Sequence, residues 1–402
     1  MFSRLAVAYY IAYPQRMAGA NRSLFELVTH LPDRVQPVVV SVAEGRAVDA
    51  YREAGVDVHI AAPGGRLAAF GKAAMGWSTW EKAGVVAREL VPYTRRLRAL
   101  FRALSPDVIH TNDPRGTLLA GPAARLLGVP LVSHLRGEIP FGGTMAQAYE
   151  ALPHRFVAVS QATATALSPR ARQRATAVYN GTRDVAGEGP TIAWLDTLRA
   201  HGVVVVAVFA SVVPFKGHHH LLRAVDALRA RGLADRFAVV CVGDLDADHP
   251  DYVRWVGQLR AELGVNNVTF AGWQDDPFAF YRSADVTVLP SVSNETLTLD
   301  GRARRVLGNE GFPRTHLEAM CFGLPIVGTD IAGVREQVVD GETGFVVPPG
   351  DPEALADALA RLVQDAPLRA RLGAAGRARV LERFSTAAYV HGVTDVYDSL
   401  LR

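Results

Sequence analysis

Short apolar runs alternate with longer stretches in which apolar residues recur every three or four positions, and this alternation persists along the whole chain. Continuous apolar runs of four to eight residues fit strands buried on both faces. The longer periodic stretches fit amphipathic helices that cover them. In the first half this predicts strands over 5–11, 37–42, 56–60, 108–110, 131–134 and 156–159, with helices between them, including 23–30 and 91–104. The stretch 182–190 (TRDVAGEGP) is rich in Gly, Asp and Glu, lacks apolar rhythm and reads as a linker. A second cycle follows, with strands over 203–210, 237–242, 268–271, 286–289, 325–328 and 344–347. The closing stretch 385–402 is an amphipathic helix. The pattern therefore predicts an α/β protein of two Rossmann-like, doubly wound domains, with ligands at the carboxyl ends of the strands and in the cleft between the domains.

Composition narrows this picture. A chain of 402 residues exceeds one comfortable core. With 49% hydrophobic and 21% charged residues it reads as soluble and globular, and a net charge of +3 argues against nucleic acid as a partner. Cys241 and Cys321 both sit in apolar runs and read as buried, reduced thiols, which fits a cytoplasmic protein. No run of about 18 apolar residues occurs, so membrane contact would be peripheral at most. The segment 12–19 lacks the G-x-G-x-x-G of a dinucleotide oxidoreductase.

Two cations fall at predicted helix starts. Lys216 stands with Gly217 before HHHLLRAVDALRA, and Arg314 follows Pro313 in EGFPRTHLEAM. Proline suits the first helical position, because no N–H is needed there. A cation at the positive end of a helix is in conflict with the helix dipole unless an anion is bound, and a diphosphate would resolve both cases. A pair with Glu318 one turn on is the other reading of Arg314. Glu310 and Glu318 have seven residues between them; Glu318, inside the helix, is suited to accept hydrogen bonds from two hydroxyls.

The run 211–351 resembles family 4 of the glycosyltransferases, the retaining GT-B group. The matching stretches are VVPFKGHHHLLRA, VCVGD, FAGWQDD, SADVTVLPS and EGFPRTHLEAMCFGLPIVGTDIAGVREQVVDGETGFVVPPGD. Earlier in the chain, GANRSLFEL, SPDVIHTND, LVSHLRG and FVAVSQAT also match. The resemblance implies a GT-B fold of two facing Rossmann-like domains with an interdomain cleft: 1–183 for the acceptor, 191–384 for the nucleotide sugar, and 385–402 packing back toward the first. It implies a retaining transfer from a nucleotide sugar, UDP-linked, to a sugar, lipid-linked or small hydroxylated acceptor. Neither cofactor nor metal is implied. Lys216 would neutralise the diphosphate and Glu310 would bind the donor sugar, with His134 near the reacting carbon. Glu318 would hold the ribose, and Gly217 belongs to the lysine loop. The backbone of Gly311, Phe312, Arg314 and Thr315 would face sugar and phosphate, the Gly19–Asn21 loop would close on the phosphate, and Gly272, Trp273 and Gln274 would lie by the base. A nucleotide-sugar epimerase of the same fold and a non-catalytic nucleotide-binding relative are the alternatives.

Two departures from the family pattern stand out. Ser211 occupies the place of a usual arginine five residues before the lysine, and 292–309 intervenes before Glu310. That insertion carries Arg302, Arg304 and Arg305; either one of these, or Arg314, replaces the lost cation, or the insertion is a solvated loop. Three further features read as ordinary surface: the basic flank of Arg95, Arg96, Arg98 and Arg102, the Asp244, Asp246, Asp248 run, and the solvated helix residues His218, His219 and His220.

Overall fold

The computed structural model describes residues 4–17, 19–70, 78–137, 139–140, 142–245, 248–306, 308 and 310–402. The chain divides into two compact units, one of residues 1–181 with 386–402 and the other of residues 182–385.

The first unit is built on a seven-stranded parallel sheet. Its strands are β1 (Leu5–Ile11), β2 (Val35–Ser41), β3 (Asp57–Ile60), β4 (Val108–Thr111), β5 (Leu131–Leu135), β6 (Arg155–Ala158) and β7 (Ala175–Ala177), in the order β3-β2-β1-β4-β5-β6-β7. β1, β4 and β5 are almost wholly buried, which is why they appear in the sequence as unbroken apolar runs. The order reverses direction between β1 and β4, and the connections leaving those two strands diverge there. After β1 comes helix α1 (Gly19–Thr29). After β4, Asp113 caps helix α2 (Pro114–Leu127): its side chain accepts from the Gly116 N–H at 2.8 Å, and Pro114 takes the first helical position. The C-terminal helix, Thr386–Leu401, completes this unit's core. It buries Tyr389, Val393 and Tyr397 against Val7, Tyr9 and Leu27. Thr386 donates to Glu26 at 2.7 Å, and Arg34 forks onto Asp398 with two bonds of 2.9 Å.

The second unit has a six-stranded parallel sheet. β8 (Val204–Phe209), β9 (Phe237–Val242), β10 (Val268–Gly272), β11 (Val286–Leu289), β14 (Ile326–Thr329) and β15 (Gly344–Val347) run in the order β10-β9-β8-β11-β14-β15. Its reversal point lies between β8 and β11. Its helices include α3 (His218–Ala230), α4 (Pro250–Leu263) and α5 (Arg314–Cys321). The segment read as a linker belongs to this unit: Asp184 pairs with Arg377 at 2.6 Å, and Gly189 packs on the Arg282 guanidinium.

The insertion is not a loop. It is an antiparallel hairpin of β12 (Thr296–Leu299) and β13 (Arg302–Arg305), turning at Asp300 and Gly301 with φ of 50° and 72°. Two left-handed turn residues between paired strands are the arrangement that Asp-Gly favours. Leu297 and Leu299 point into the unit's core while Thr296 and Thr298 face solvent. Arg304 pairs with Asp251 at 2.6 Å and Arg254 with Asp300 at 2.8 Å, so the hairpin lies against α4.

Among the described residues no helix is long and apolar enough to cross a membrane. Both cysteines are buried and free.

Candidate active site

Lys216 follows β8, and Glu310 follows β11 and the hairpin, so both emerge at the reversal point of the second sheet. The chain leaves β8 through a tight turn, Pro214–Lys216, and passes Gly217 in the left-handed region (φ 68°) before α3 begins. A β-carbon at Gly217 would lie 1.9 Å from the Pro290 carbonyl oxygen, so only glycine lets the two connections touch. The Val292 N–H donates to the Phe215 carbonyl at 2.7 Å and fixes their register. Gly308 also meets Phe215, whose ring would lie 2.5 Å from a β-carbon there.

This contact delivers Lys216 to Glu310. The two form an ion pair with 18% and 10% of their side chains exposed, and Ser291 donates to the same Glu310 oxygen at 2.9 Å. Burial pushes the Glu310 carboxyl up, but Lys216 and then Ser291 pull it down and prevail, so the group is held below its ordinary value. The Lys216 ammonium also sits 5.1 Å from the centre of the Phe215 ring.

Helix α5 brings in Glu318. The helix starts at Arg314, one residue later than the sequence suggests, because Pro313 (φ −57°, ψ 121°) keeps the extended ψ of a cap. Arg314 and Thr315 therefore form the first turn, where amide N–H groups point out of the helix start. Arg314 reaches one turn along the helix to Glu318 at 3.6 Å. The other Glu318 oxygen accepts from the Tyr281 hydroxyl at 3.2 Å. Tyr281 is itself clamped, parallel to Phe209 at 3.5 Å and to Phe322 at 5.4 Å between ring centres. Sequence reasoning missed Tyr281; its phenol in the run FAFYR looks like core. Phe312 packs edge-on against Phe384 at 5.3 Å. Behind α5, Gln337 donates to the Pro313 carbonyl at 2.9 Å and meets His316 Nδ1 at 3.1 Å, which holds the turn before the helix. Burial lowers the His316 pKa to about 4, so this imidazole is neutral.

Gly272 ends β10 with φ 70° at an irregularity in its pairing, and its carbonyl accepts from the Gly243 N–H at 2.9 Å. Trp273 is 54% exposed and donates to Asp275 at 3.0 Å, while Gln274 donates to the Ala271 carbonyl at 2.8 Å. In the first unit, Gly19 opens α1. The Asn21 amide donates to the Tyr13 and Arg16 carbonyls at 2.7 and 2.8 Å, so it shapes the loop after β1 from within.

His134, on β5, is fully buried. It ends a chain of polar contacts: Tyr9 and Tyr397 hydroxyls at 3.1 Å, Tyr397 to His110 Nδ1 at 2.6 Å, and His110 Nε2 to His134 Nδ1 at 3.2 Å. Among the described residues His134 Nε2 has no hydrogen-bond partner. Burial, reinforced by Arg136, lowers both imidazole pKa values, that of His110 to about 3. Arg136, from the same SHLRG segment, bonds Asn112 at 2.9 Å and Asn180 at 2.7 Å.

The reading of His218, His219 and His220 as solvated is corrected: all three are buried. His218 faces Phe270 of β10, and His219 and His220 both turn to Glu295 at the base of the hairpin. Of the hairpin arginines, Arg304 is held by Asp251 and Arg305 by Asn294 at 2.9 Å. Asp246 of the aspartate run lies outside the described residues.

Residues 197–379 match the family described as glycosyl transferases group 1, and residues 17–184 match the one described as Glycosyltransferase Family 4. The capsular polysaccharide biosynthesis glycosyltransferase CapM of Staphylococcus aureus is 27% identical over 49% of the chain and 47% of its own length. A D-inositol 3-phosphate glycosyltransferase of Stackebrandtia nassauensis is 35% identical over 42% of the chain and 36% of its length. These two matches thus span half or less of the relatives. The phosphatidyl-myo-inositol mannosyltransferase of Mycobacterium leprae is 28% identical over 73% of the chain and 74% of its length. In fold, the chain is similar to Anabaena HepE, solved with UDP, at a TM-score of 0.78 and 21% identity, covering 98% of this chain and 100% of that one. The fold is that of the GT-B glycosyltransferases, two parallel-sheet α/β domains. Each half of the chain thus matches a glycosyltransferase family model, one per half, and the chain is family 4-like with the GT-B fold.

Proposed function

We propose that the protein transfers a sugar from a nucleotide-sugar donor, UDP-linked, to a hydroxyl of a glycan, glycolipid or small-molecule acceptor, with retention at the sugar carbon. The observation that carries this reading is the convergence of Lys216, Glu310 and α5 at the β8/β11 reversal point, where a doubly wound sheet binds its ligand. HepE, similar in fold, was solved with UDP-glucose.

In this reading the diphosphate binds Lys216 and the start of α5, which stabilise the charge that develops as the sugar leaves. Lys216 exchanges Glu310 for phosphate, which frees the carboxylate for a sugar hydroxyl. Glu318, oriented by Tyr281, accepts from the ribose hydroxyls. The backbone of Gly311, Phe312 and Thr315 lines sugar and phosphate, and Gly272 and Trp273 lie by the base. The leaving phosphate takes the acceptor's proton on the same face, so neither a covalent nucleophile nor a metal is required. Arg314, in the first turn of α5 beside the bound diphosphate, replaces the cation lost at Ser211 in place of Arg302, Arg304 or Arg305, which lie on the exposed second strand of the hairpin. His134, Gly19 and Asn21 keep the roles that the resemblance implies. The protein works in the cytoplasm, peripheral to the inner face of the membrane where the acceptor is lipid-linked.

A panel of sugar nucleotides, followed for hydrolysis without acceptor, identifies the donor. Glu310→Ala and Lys216→Ala are expected to cut turnover by orders of magnitude in folded protein, and near-normal turnover in both refutes the assignment. His134→Ala is expected to lower transfer more than nucleotide binding. An epimerised donor as sole product would make the chain an epimerase. Thermal stabilisation by NAD alone, and not by UDP, GDP or ADP, would overturn the reading.

A further inference from the structure

His219 and His220 lie in the first turn of α3, just after the lysine loop, and Glu295 stands at the base of the hairpin. Consecutive helical residues ordinarily diverge. Here the two rings lie 4.0 Å apart and both present Nε2 to one carboxylate, at 3.2 Å from His219 and 3.1 Å from His220. The three ligand atoms lie within 4.8 Å of one another. In a tetrahedral zinc site, with metal–ligand bonds of about 2.0–2.1 Å, ligand atoms are about 3.3 Å apart. The two histidine–carboxylate distances already match this spacing, and with no pair of ligand atoms further apart than 4.8 Å the two rings need only turn toward each other to close on an ion.

The surroundings agree with a metal centre. The His219 Nδ1 meets the buried Tyr252 hydroxyl at 2.9 Å, an outer contact of the kind that fixes the ring orientation of a ligating histidine. Both histidines are buried, whereas a quarter of the Glu295 side chain is exposed, which leaves a path for an ion and room for a water. His220 has no other polar partner among the described residues: its Nδ1 is buried without one. Two imidazoles and one carboxylate form a donor set for a divalent transition ion and not for Mg2+ or Ca2+, which take oxygen ligands.

We propose that His219, His220 and Glu295 bind one divalent transition-metal ion, of which Zn2+ is the type. The ion pins the inserted hairpin to the start of α3. Its role is structural: it touches no residue assigned to the donor, and the transfer chemistry does not pass through it. Holding the hairpin to α3 ties the connection that ends in Glu310 to the helix that begins after Lys216.

Tag-free protein is stripped with chelator, desalted, loaded with Zn2+ and desalted again. One Zn2+ per chain by elemental analysis is expected, with a thermal midpoint raised by Zn2+ and not by Mg2+. Glu295→Gln and His220→Gln should each weaken binding at least tenfold. Substoichiometric zinc in the wild type, or one equivalent retained by both variants, overturns the proposal and leaves a hydrogen-bonded trio. Should the variants not fold, Co2+ on the wild type decides. The intense visible bands of a four- or five-coordinate site support the proposal, and the spectrum of free aqueous Co2+ refutes it. Donor hydrolysis plays no part in these readouts, so failure here is distinct from failure of the proposed transfer.

Discussion

The carbonyl oxygen of Pro290 occupies the space that a side chain on Gly217 would need, 1.9 Å from where its β-carbon would lie. Gly217→Ala must therefore move one connection away from the other and also hold alanine at φ 68°. We expect a loss of at least about 2 kcal/mol. In a domain of this size that is a fall of roughly 4–8 °C in thermal midpoint, together with weaker nucleotide binding. Gly272→Ala is the control: its φ is 70°, but nothing lies within 4 Å of the new carbon. It should cost only about 1 kcal/mol, for the backbone conformation alone. Thermal melts of the two variants separate close approach from backbone strain, and equal losses would contradict the distinction.

Removing the ammonium while keeping most of the side-chain volume tests the ion pair. Lys216→Met leaves a buried carboxylate with only Ser291 and should destabilise by about 3 kcal/mol near neutral pH. The sign of the pH dependence follows from Glu310, whose folded pKa is depressed. Its stabilisation is present above the unfolded carboxyl pKa and is lost as pH falls through the folded one. In Lys216→Met the carboxyl protonates at higher pH, so the variant and wild type should converge in stability on acidification. A constant gap across the acid range would exclude the pair as the cause.

Tyr281→Phe keeps the ring between Phe209 and Phe322 and deletes only the hydroxyl that donates to Glu318. Stability should change little. Donor affinity should fall by about 1 kcal/mol, roughly fivefold in Kd, because Glu318 loses a fixed orientation. Calorimetry with UDP measures this directly, and unchanged affinity would remove Tyr281 from the site.

Acidification should weaken the first unit through His110 and His134. The unfolded chain takes up these protons near the ordinary histidine pKa of 6.5, and the folded one does so only far below it, near 3 for His110. The unfolded state then binds more protons, and each group lowers stability by about 1.4 kcal/mol per pH unit through the window from about 6.5 downward. Asp113 works in the opposite sense: burial raises its pKa to about 6, so the folded state gains a proton first. Two histidines against one aspartate leave a net loss on acidification. Hydrogen exchange of first-unit amides at pH 5.5 and 7.5 should show faster opening at the lower pH once intrinsic rates are corrected. The reverse order would mean that the histidines are protonated in the fold.

The strands were legible because parallel strands buried on both faces must be apolar throughout, and such runs stand out; Val286–Leu289 is placed to the residue. Lys216 and Arg314 stood out because cations at helix starts are locally unfavourable, and Lys216 does end the turn before α3 while Arg314 opens α5. The hairpin escaped notice although Asp300 and Gly301, between TLTL and RARR, carried a turn signal. Its second strand is fully exposed, so no apolar alternation marks it. The histidines were misread for a tertiary reason. Helix α3 buries even its first turn, because β10 and the base of the hairpin cover it, and neither neighbour is near in sequence. The Tyr281 hydroxyl was silent because its partner lies 37 residues away.

The hairpin is closed at its base, where the Val306 N–H donates to the Glu295 carbonyl at 2.7 Å. Its two ends enter and leave at neighbouring points, so the chain between them can lengthen, shorten or be exchanged without moving the connection that carries Glu310. The arrangement makes this a graft point: sequence added at Asp300–Gly301 would extend outward at a modest loop-closure cost, and a fluorophore loop or peptide tag placed there could report on the lysine loop while leaving its geometry intact.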